Sequence, residues 1–259
     1  MSDKSKISWT DATFNPWMGC AKVSPGCAHC YAERMLTDRM GRPGLWGPKA
    51  GRQVTSDQNW KKPLKWNAQA AKEGKRTKAF CGSLCDWAED HPTSEAARPR
   101  LWELIRATPH LDWLLLTKRA ERIAMSLPDD WGRGYPNVWL GVSIESNDYR
   151  ARADQLRRVP AVVRFISYEP ALGPLDRLDL TGIDWVIYGG ESGPKYREHD
   201  LAWPRQVRAM CRAAGVAFFY KQSPAIRTEM KTTLDGETIR EMPVPRKIAS
   251  IERGTPATP

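Results

Sequence analysis

The sequence contains no apolar run approaching the ~18 residues that crossing a bilayer needs. Its first ten residues are charged and lack the apolar stretch of a secretory signal. These absences predict a cytoplasmic protein with no membrane partner. Cysteine is sparse: six in 259 residues are too few for a disulfide scaffold. In a reducing compartment, a tight cysteine cluster points instead to metal or catalysis. No internal repeat or low-complexity tract is present, and 41% hydrophobic with 27% charged residues excludes a disordered or fibrous chain. Negative charge is the minority sign, with 30 Asp and Glu against 40 Lys and Arg, a formal net charge of +10.

From about residue 78 to 222 the chain alternates short apolar runs with amphipathic stretches. Strands are predicted at Lys78 to Ser83, Asp112 to Thr117, Val138 to Ser143, Val162 to Tyr168, Trp185 to Gly189 and Val216 to Lys221. Helices are predicted at Ser94 to Ala107, Lys118 to Ser126, Asn147 to Arg157 and Ala202 to Ala214, the last with Gly215 where a C-cap would sit. Continuous apolar strands suit a parallel sheet buried on both faces. Repeated βα units imply an α/β fold, either doubly wound or a full or partial (β/α) barrel. One domain is expected over residues 1–223, including a basic Trp/Lys-rich insertion at 39–78, followed by a loose C-terminal extension at 224–259.

In both architectures strand ends carry chemistry. Polar residues collect there: Cys85 and Asp86, Lys118 and Arg119, Glu145 and Ser146, Glu169, Glu191 and Ser192, Lys221 and Gln222. Lys118, Glu169 and Lys221 are candidates for acid/base work or for meeting an anionic substrate, against the alternative of simple ion pairs.

The sharpest signal is Asn15-Pro-Trp-Met-Gly-Cys20-Ala-Lys-Val-Ser-Pro-Gly-Cys27-Ala-His-Cys30-Tyr-Ala-Glu33. Pro25 and Gly26 force a turn between Cys20 and Cys27, while Cys27 and Cys30 face one centre as a helix begins. Thiolates select zinc or iron–sulfur clusters. His29 could complete a tetrahedral zinc site, although its adjacency to Cys30 demands an awkward backbone. A [4Fe–4S] cluster on Cys20, Cys27 and Cys30 would instead leave one iron open to a non-protein ligand. Three merely buried thiols are the third reading.

The cysteine loop followed by a helix and βα units resembles the radical S-adenosylmethionine (SAM) superfamily. Over Asn15 to Glu33, Asn137 to Ser146, Arg164 to Pro174, Ile183 to Pro194 and Gly215 to Gln222, the chain more closely resembles a phage-associated three-cysteine-motif family of unknown function. The resemblance implies a partial parallel (β/α) barrel of the radical SAM type, with SAM on the open iron and an electron donor such as flavodoxin or ferredoxin. It implies one-electron cleavage of the sulfonium to methionine and a 5′-deoxyadenosyl radical that abstracts a substrate hydrogen. Six residues separate the first two cysteines here where the superfamily usually has three.

The resemblance also implies roles for further residues. His29 takes the place of the aromatic before the third cysteine that packs on adenine, with Tyr31 adjacent. Gly189, Gly190, Glu191 and Ser192 match the motif that receives the methionine ammonium, but follow a later strand than usual. Ser83 and Asp86 occupy the expected place by order and compete with Glu191 for that ammonium. Ser143 and Glu145 resemble the residues that hold the ribose hydroxyls. Each of these carries the alternative of an ordinary strand-end turn residue.

Cys85 is a candidate hydrogen donor or fourth cluster ligand, facing the same side as Cys81 if the strand continues; buried thiols are the alternative. Cys211 reads as helix packing. Trp60 to Lys78 carries seven Lys or Arg and one Glu. Its Trp60, Lys61, Lys62, Lys65 and Trp66 combine cations for phosphates with rings for stacking bases, against the alternative of a solvated face. The resulting expectation is a [4Fe–4S] radical SAM enzyme acting on a nucleic acid or nucleotide. The alternatives are a non-enzymatic nucleic-acid-binding protein with a structural zinc or iron–sulfur site, or an iron–sulfur enzyme that does not use SAM.

Overall fold

The computed structural model describes residues 3–246. In chain order the elements are β1 (Ala12–Phe14), β2 (Trp17–Met18), α1 (Tyr31–Arg34), β3 (Gln53–Val54), α2 (Asp57–Trp60), α3 (Lys62–Glu73), β4 (Thr77–Cys81) and α4 (Pro92–Arg106). They continue with β5 (Leu111–Thr117), β6 (Val138–Ser143), α5 (Ala151–Arg157), β7 (Val163–Tyr168), β8 (Trp185–Gly189), α6 (Ala202–Ala214) and β9 (Ala217–Gln222). Seven strands form one all-parallel sheet in the order β1-β4-β5-β6-β7-β8-β9. The spatial order follows the chain order without reversal, so the sheet curls one way into a half-barrel instead of winding in two directions. β1 and β9 are its two edge strands, and β9 is flanked by an antiparallel bridge between Phe219 and Arg240.

Alternation along each strand separates two cores. On the helix side, Trp113, Leu140, Ile166, Val186 and Phe218 join Leu101 and Ile105 of α4 and Val207 and Cys211 of α6. On the concave side, Trp9, Phe80, Leu114, Trp139, Phe165, Trp185 and Phe219 fill the lower part of the half-barrel. Gly141 makes room there, because a Cβ would lie 2.3 Å from the Phe165 ring. The same alternation places Ser143 and Ser167, paired in register, on the concave face above this aromatic floor. The floor is buried and apolar; the polar rim above it faces the strand ends.

All six predicted strands are present, shifted by at most two residues at an end. α6 has the predicted bounds and ends on Gly215 at φ +67°, the left-handed cap that glycine takes without a Cβ clash. The predicted helix at 118–126 is two 3₁₀ turns, Ala120–Arg122 and Ala124–Ser126. The largest revision concerns the basic segment 39–78. Its α3 links β1 to β4, two strands adjacent in the sheet, so it is the crossover helix of the first βα unit and not an insertion. At three residues, β1 was too short to be read from periodicity.

The extension is also tied down as far as it is described. Tyr220 donates its N–H to Ile239 O at 2.9 Å, Glu241 to Phe218 O at 3.2 Å, and Arg246 to Val162 O at 2.8 Å. Leu234 and Ile239 are buried in the helix-side core. Residues 224–246 therefore belong to the same body as the barrel, running from β9 across the N-terminal strand ends. The loose ending predicted at Gly-Thr-Pro-Ala-Thr-Pro lies outside the described residues.

Candidate functional site

The chain leaves β1 at Asn15, a fully buried side chain that organises the first turn of the site. Its Nδ2 donates to Ser83 Oγ at 2.8 Å, and its Oδ1 accepts the Leu84 N–H at 2.7 Å. The strand-end loop after β4 and the start of the cysteine loop are thereby fastened together. Gly19, at φ +111°, donates its N–H to Leu84 O at 3.0 Å. A Cβ there would meet Leu45 O at 2.5 Å, so the residue before Cys20 is held to glycine.

The cysteine loop then crosses the carboxyl ends of the strands. Pro25–Cys27 form the predicted tight turn, here a single 3₁₀ turn, and Cys30 precedes α1. Glu145, at the end of β6 and 1% exposed, accepts the Ser24 hydroxyl at 2.7 Å and Arg152 at 2.8 Å. It packs so closely under the turn that a Cβ on Gly26 would lie 2.4 Å from its Oε1. Lys118 Nζ stands 4.0 Å from the same Oε1. Glu145, expected to meet a ribose, is thus occupied by protein donors and anchors the cysteine turn to β6.

The far side of the loop is clamped by the segment after β8. Glu191 receives a bidentate pair from Arg197, at 2.9 and 2.5 Å, together with the Arg197 N–H at 2.8 Å and His29 Nδ1 at 3.1 Å. Burial would raise this carboxyl, but the hydrogen bonds from Arg197 and His29 hold it below its ordinary value. Arg197 also reaches Pro25 O at 3.1 Å. Glu191 is therefore filled by protein partners and does not present a free oxygen for an ammonium. Gly190 is equally closed: a Cβ there would meet Pro224 N at 2.2 Å. Gly189 makes room for the Glu169 side chain, and Ser192 pairs through its backbone with Ala225. His29, the candidate fourth zinc ligand, has Nδ1 engaged by Glu191.

Asp86 is the second acidic candidate whose partners come from the protein. It accepts Ala88 N–H at 3.0 Å, Thr117 Oγ1 at 2.6 Å, Lys118 N–H at 3.2 Å and Arg119 Nη1 at 2.9 Å. A carboxylate has about four lone-pair sites, so this set fills it. Of the pair expected at this place, only Ser83 keeps a capacity to donate, its Oγ accepting from Asn15. Tyr31, half-exposed, donates its hydroxyl to Ser83 O at 2.7 Å.

The three sulfurs differ in setting. Burial pushes the Cys20 thiol up to about 12, with Asp86 and Glu89 adding to the rise and Arg119 opposing it. Burial also raises Cys30, opposed by its backbone hydrogen bond at Glu33 and by the charge of Lys118. Cys27 lies 3.9 Å from Ser24 Oγ. A thiol must lose its proton to bind a metal, so any metal taken up by these sulfurs would release protons. Among the described residues, no group of three or more His, Cys, Asp or Glu converges on the position of a single ion.

Cys81 lies in the helix-side core, and the strand ends there. Gly82 at φ +95° then turns the chain, and Cys85 packs with Trp17 and Ala97. The strand does not continue, so the predicted shared side for the two cysteines is lost. Burial raises the Cys85 thiol well above its ordinary value, and its Sγ lies 3.9 Å from Asn15 Oδ1. Cys211 packs in the core as expected. Toward β7 and β9, Lys221 pairs with Glu169 at 2.5 Å across the concave face, and Glu169 acts electrostatically on Tyr31.

The basic stretch is reorganised. Trp60 is 3% exposed, packed edge-on against Phe14 with the Arg100 guanidinium 4.3 Å above its ring, so no face is left for a base. Trp66 donates Nε1 to Asp3 at 3.2 Å, and Lys62 pairs with the same carboxylate at 3.2 Å. Lys61 and Lys65 remain exposed on α3 and its N-terminal junction. Sequence reasoning marked Arg119 only as one of the polar strand-end residues and gave no site role to Asn15, Ser24, Arg152 or Arg197. Arg119 and Arg197 lie on loops and carry no periodic signal, Arg152 is a charged residue within α5, and only the tertiary contacts expose what they hold.

Clefts of about 530 Å³ beside α4 and about 490 Å³ at the base of the half-barrel lie apart from the cysteine loop. No curated protein and no solved structure matches the chain. A family model described as "Protein of unknown function (DUF5131)" matches residues 4–243, which takes in the cysteine loop, all seven sheet strands and most of the described extension. A match of that extent makes the chain a member of the DUF5131 family.

Proposed function

We propose that this protein is a [4Fe–4S] enzyme of the radical SAM type, acting on a nucleic acid or nucleotide. The observation that carries the reading is the seating of a three-cysteine loop over the carboxyl ends of a parallel half-barrel, where such folds carry their chemistry. By the ligand chemistry of thiolates, Cys20, Cys27 and Cys30 would hold the cluster, and three sulfurs would leave one iron for the methionine part of SAM. When bound, the pair would supply one-electron cleavage of the SAM sulfonium and hydrogen abstraction from the substrate.

The chain's own residues would position and shield that chemistry. Glu145 and Glu191 pin the two sides of the cysteine loop, through Ser24 and through Arg197 with His29. The aromatic floor closes the concave face from below and limits water there. Ser143, Ser167 and Ser83 are hydroxyls near the mouth suited to a ribose or the methionine end. Glu169 and Lys221 form an acid/base pair on the concave side, while Lys118, whose charge acts on Cys30, suits an anionic group. The net charge of +10 supports a phosphate-bearing substrate. A ferredoxin or flavodoxin would supply the electron.

Anaerobic purification with metal and sulfide analysis tests the reading. The expected result is brown protein with about four iron and four sulfide per chain, lost on Cys27→Ala, with SAM altering the cluster's paramagnetic resonance spectrum. Colourless protein carrying one zinc would establish the structural-site alternative. A cluster whose spectrum ignores SAM would leave an iron–sulfur protein that does not use it.

A further inference from the structure

Arg119 lies two residues past the end of β5 with its side chain 8% exposed. The guanidinium reaches Asp86 Oδ2 at 2.9 Å and Glu89 Oε1 at 3.2 Å, and donates to Ala21 O at 3.0 Å. Glu89 is also held by Arg52 through two bonds of 2.7 Å and by the Ala21 N–H at 3.0 Å. Two buried arginines thus pair with two buried carboxylates in one lattice. The Cys20 sulfur lies 3.7 Å from Arg119 Nη1, the guanidinium arm that also reaches Asp86.

We propose that Arg119 is a positioning residue for Cys20: its Nη1 donates to the sulfur and holds it as an anionic metal ligand, while Asp86 and Glu89 fix the guanidinium. The inference rests on the reading of Cys20 as a cluster ligand. Arginine suits the task because its planar fork serves a carboxylate and the sulfur at once, which the point charge of lysine does not. A hydrogen bond and a positive charge at a cluster sulfur favour the reduced state, so their removal makes the cluster harder to reduce.

The experiment compares wild type with Arg119→Gln, Arg119→Lys and Arg52→Lys after anaerobic reconstitution, reading iron content and the midpoint potential of the cluster. Arg119→Gln is expected to lower the potential by about 59 mV or more, a tenfold shift in the one-electron equilibrium. Arg119→Lys should fall between it and wild type. Arg52→Lys disturbs the same lattice without a bond to sulfur and should leave the potential unchanged. If Arg119→Gln does not fold, the two lysine variants carry the comparison. An unchanged potential in the Arg119 variants, or an equal shift in Arg52→Lys, overturns the proposal.

If wild type binds no iron, the enzyme reading fails and the proposal that rests on it falls with it, whereas an unchanged potential in iron-loaded Arg119→Gln overturns the proposal alone.

Discussion

Trp60 stands among lysines, as a stacking platform for bases would, yet its ring is wedged between Phe14 and Arg100. Composition cannot separate a buried tryptophan in a basic stretch from an exposed one; burial is decided by β1, which supplies Phe14. Trp60→Ala is expected to cost about 3–5 kcal/mol of stability in denaturant unfolding, as large aromatic truncations in cores do. The exposed pair Lys61→Gln/Lys65→Gln should leave stability within about 0.5 kcal/mol and flatten the salt dependence of any DNA or RNA retention. Unchanged retention would remove nucleic acid contact from this face. Asp86 and Glu191 teach the same lesson from the acidic side. Both were legible as strand-end carboxylates, but the donors that fill them lie from two positions away, Ala88 on Asp86, to 162 positions away, His29 on Glu191.

At the scale of elements, the cysteine loop is held from two directions, by Glu145 at the end of β6 and by Glu191 after β8. The Glu191 clamp has a pH signature. Its carboxyl is held below the ordinary value near 4.5 in the folded state, so its contribution is complete above that value and fades as pH falls through the lower folded one. Wild type should exceed Glu191→Gln in urea midpoint at neutral pH, and the gap should close as pH falls below the ordinary carboxyl value near 4.5. A gap independent of pH would show that the carboxylate charge is not what holds Arg197 and His29. The loop's turn was legible from Pro25 and Gly26. The clamps were not, because Ser24 and Arg197 have no pattern that marks them.

Across the whole molecule, the described extension works as a strap under the half-barrel. Trp185 donates Nε1 to Glu241 O at 2.9 Å, and Arg246 pairs with Asp184 at 2.7 Å. A chain ending at residue 238 should melt about 6–12 °C below one ending at residue 246, for a loss of about 3 kcal/mol. Equal melting temperatures would show that the strap adds nothing. The sequence by itself determined the parallel α/β character, the positions of six sheet strands and the cysteine turn, because apolar runs, periodicity and turn residues are local properties. It also marked the strand ends as the polar rim. Only the tertiary structure decided that α3 is a crossover helix, that the extension is part of the body, and which strand-end carboxylates are filled. Those outcomes depend on which distant donor reaches a buried acceptor, and a buried polar group is satisfied by whatever the fold brings to it.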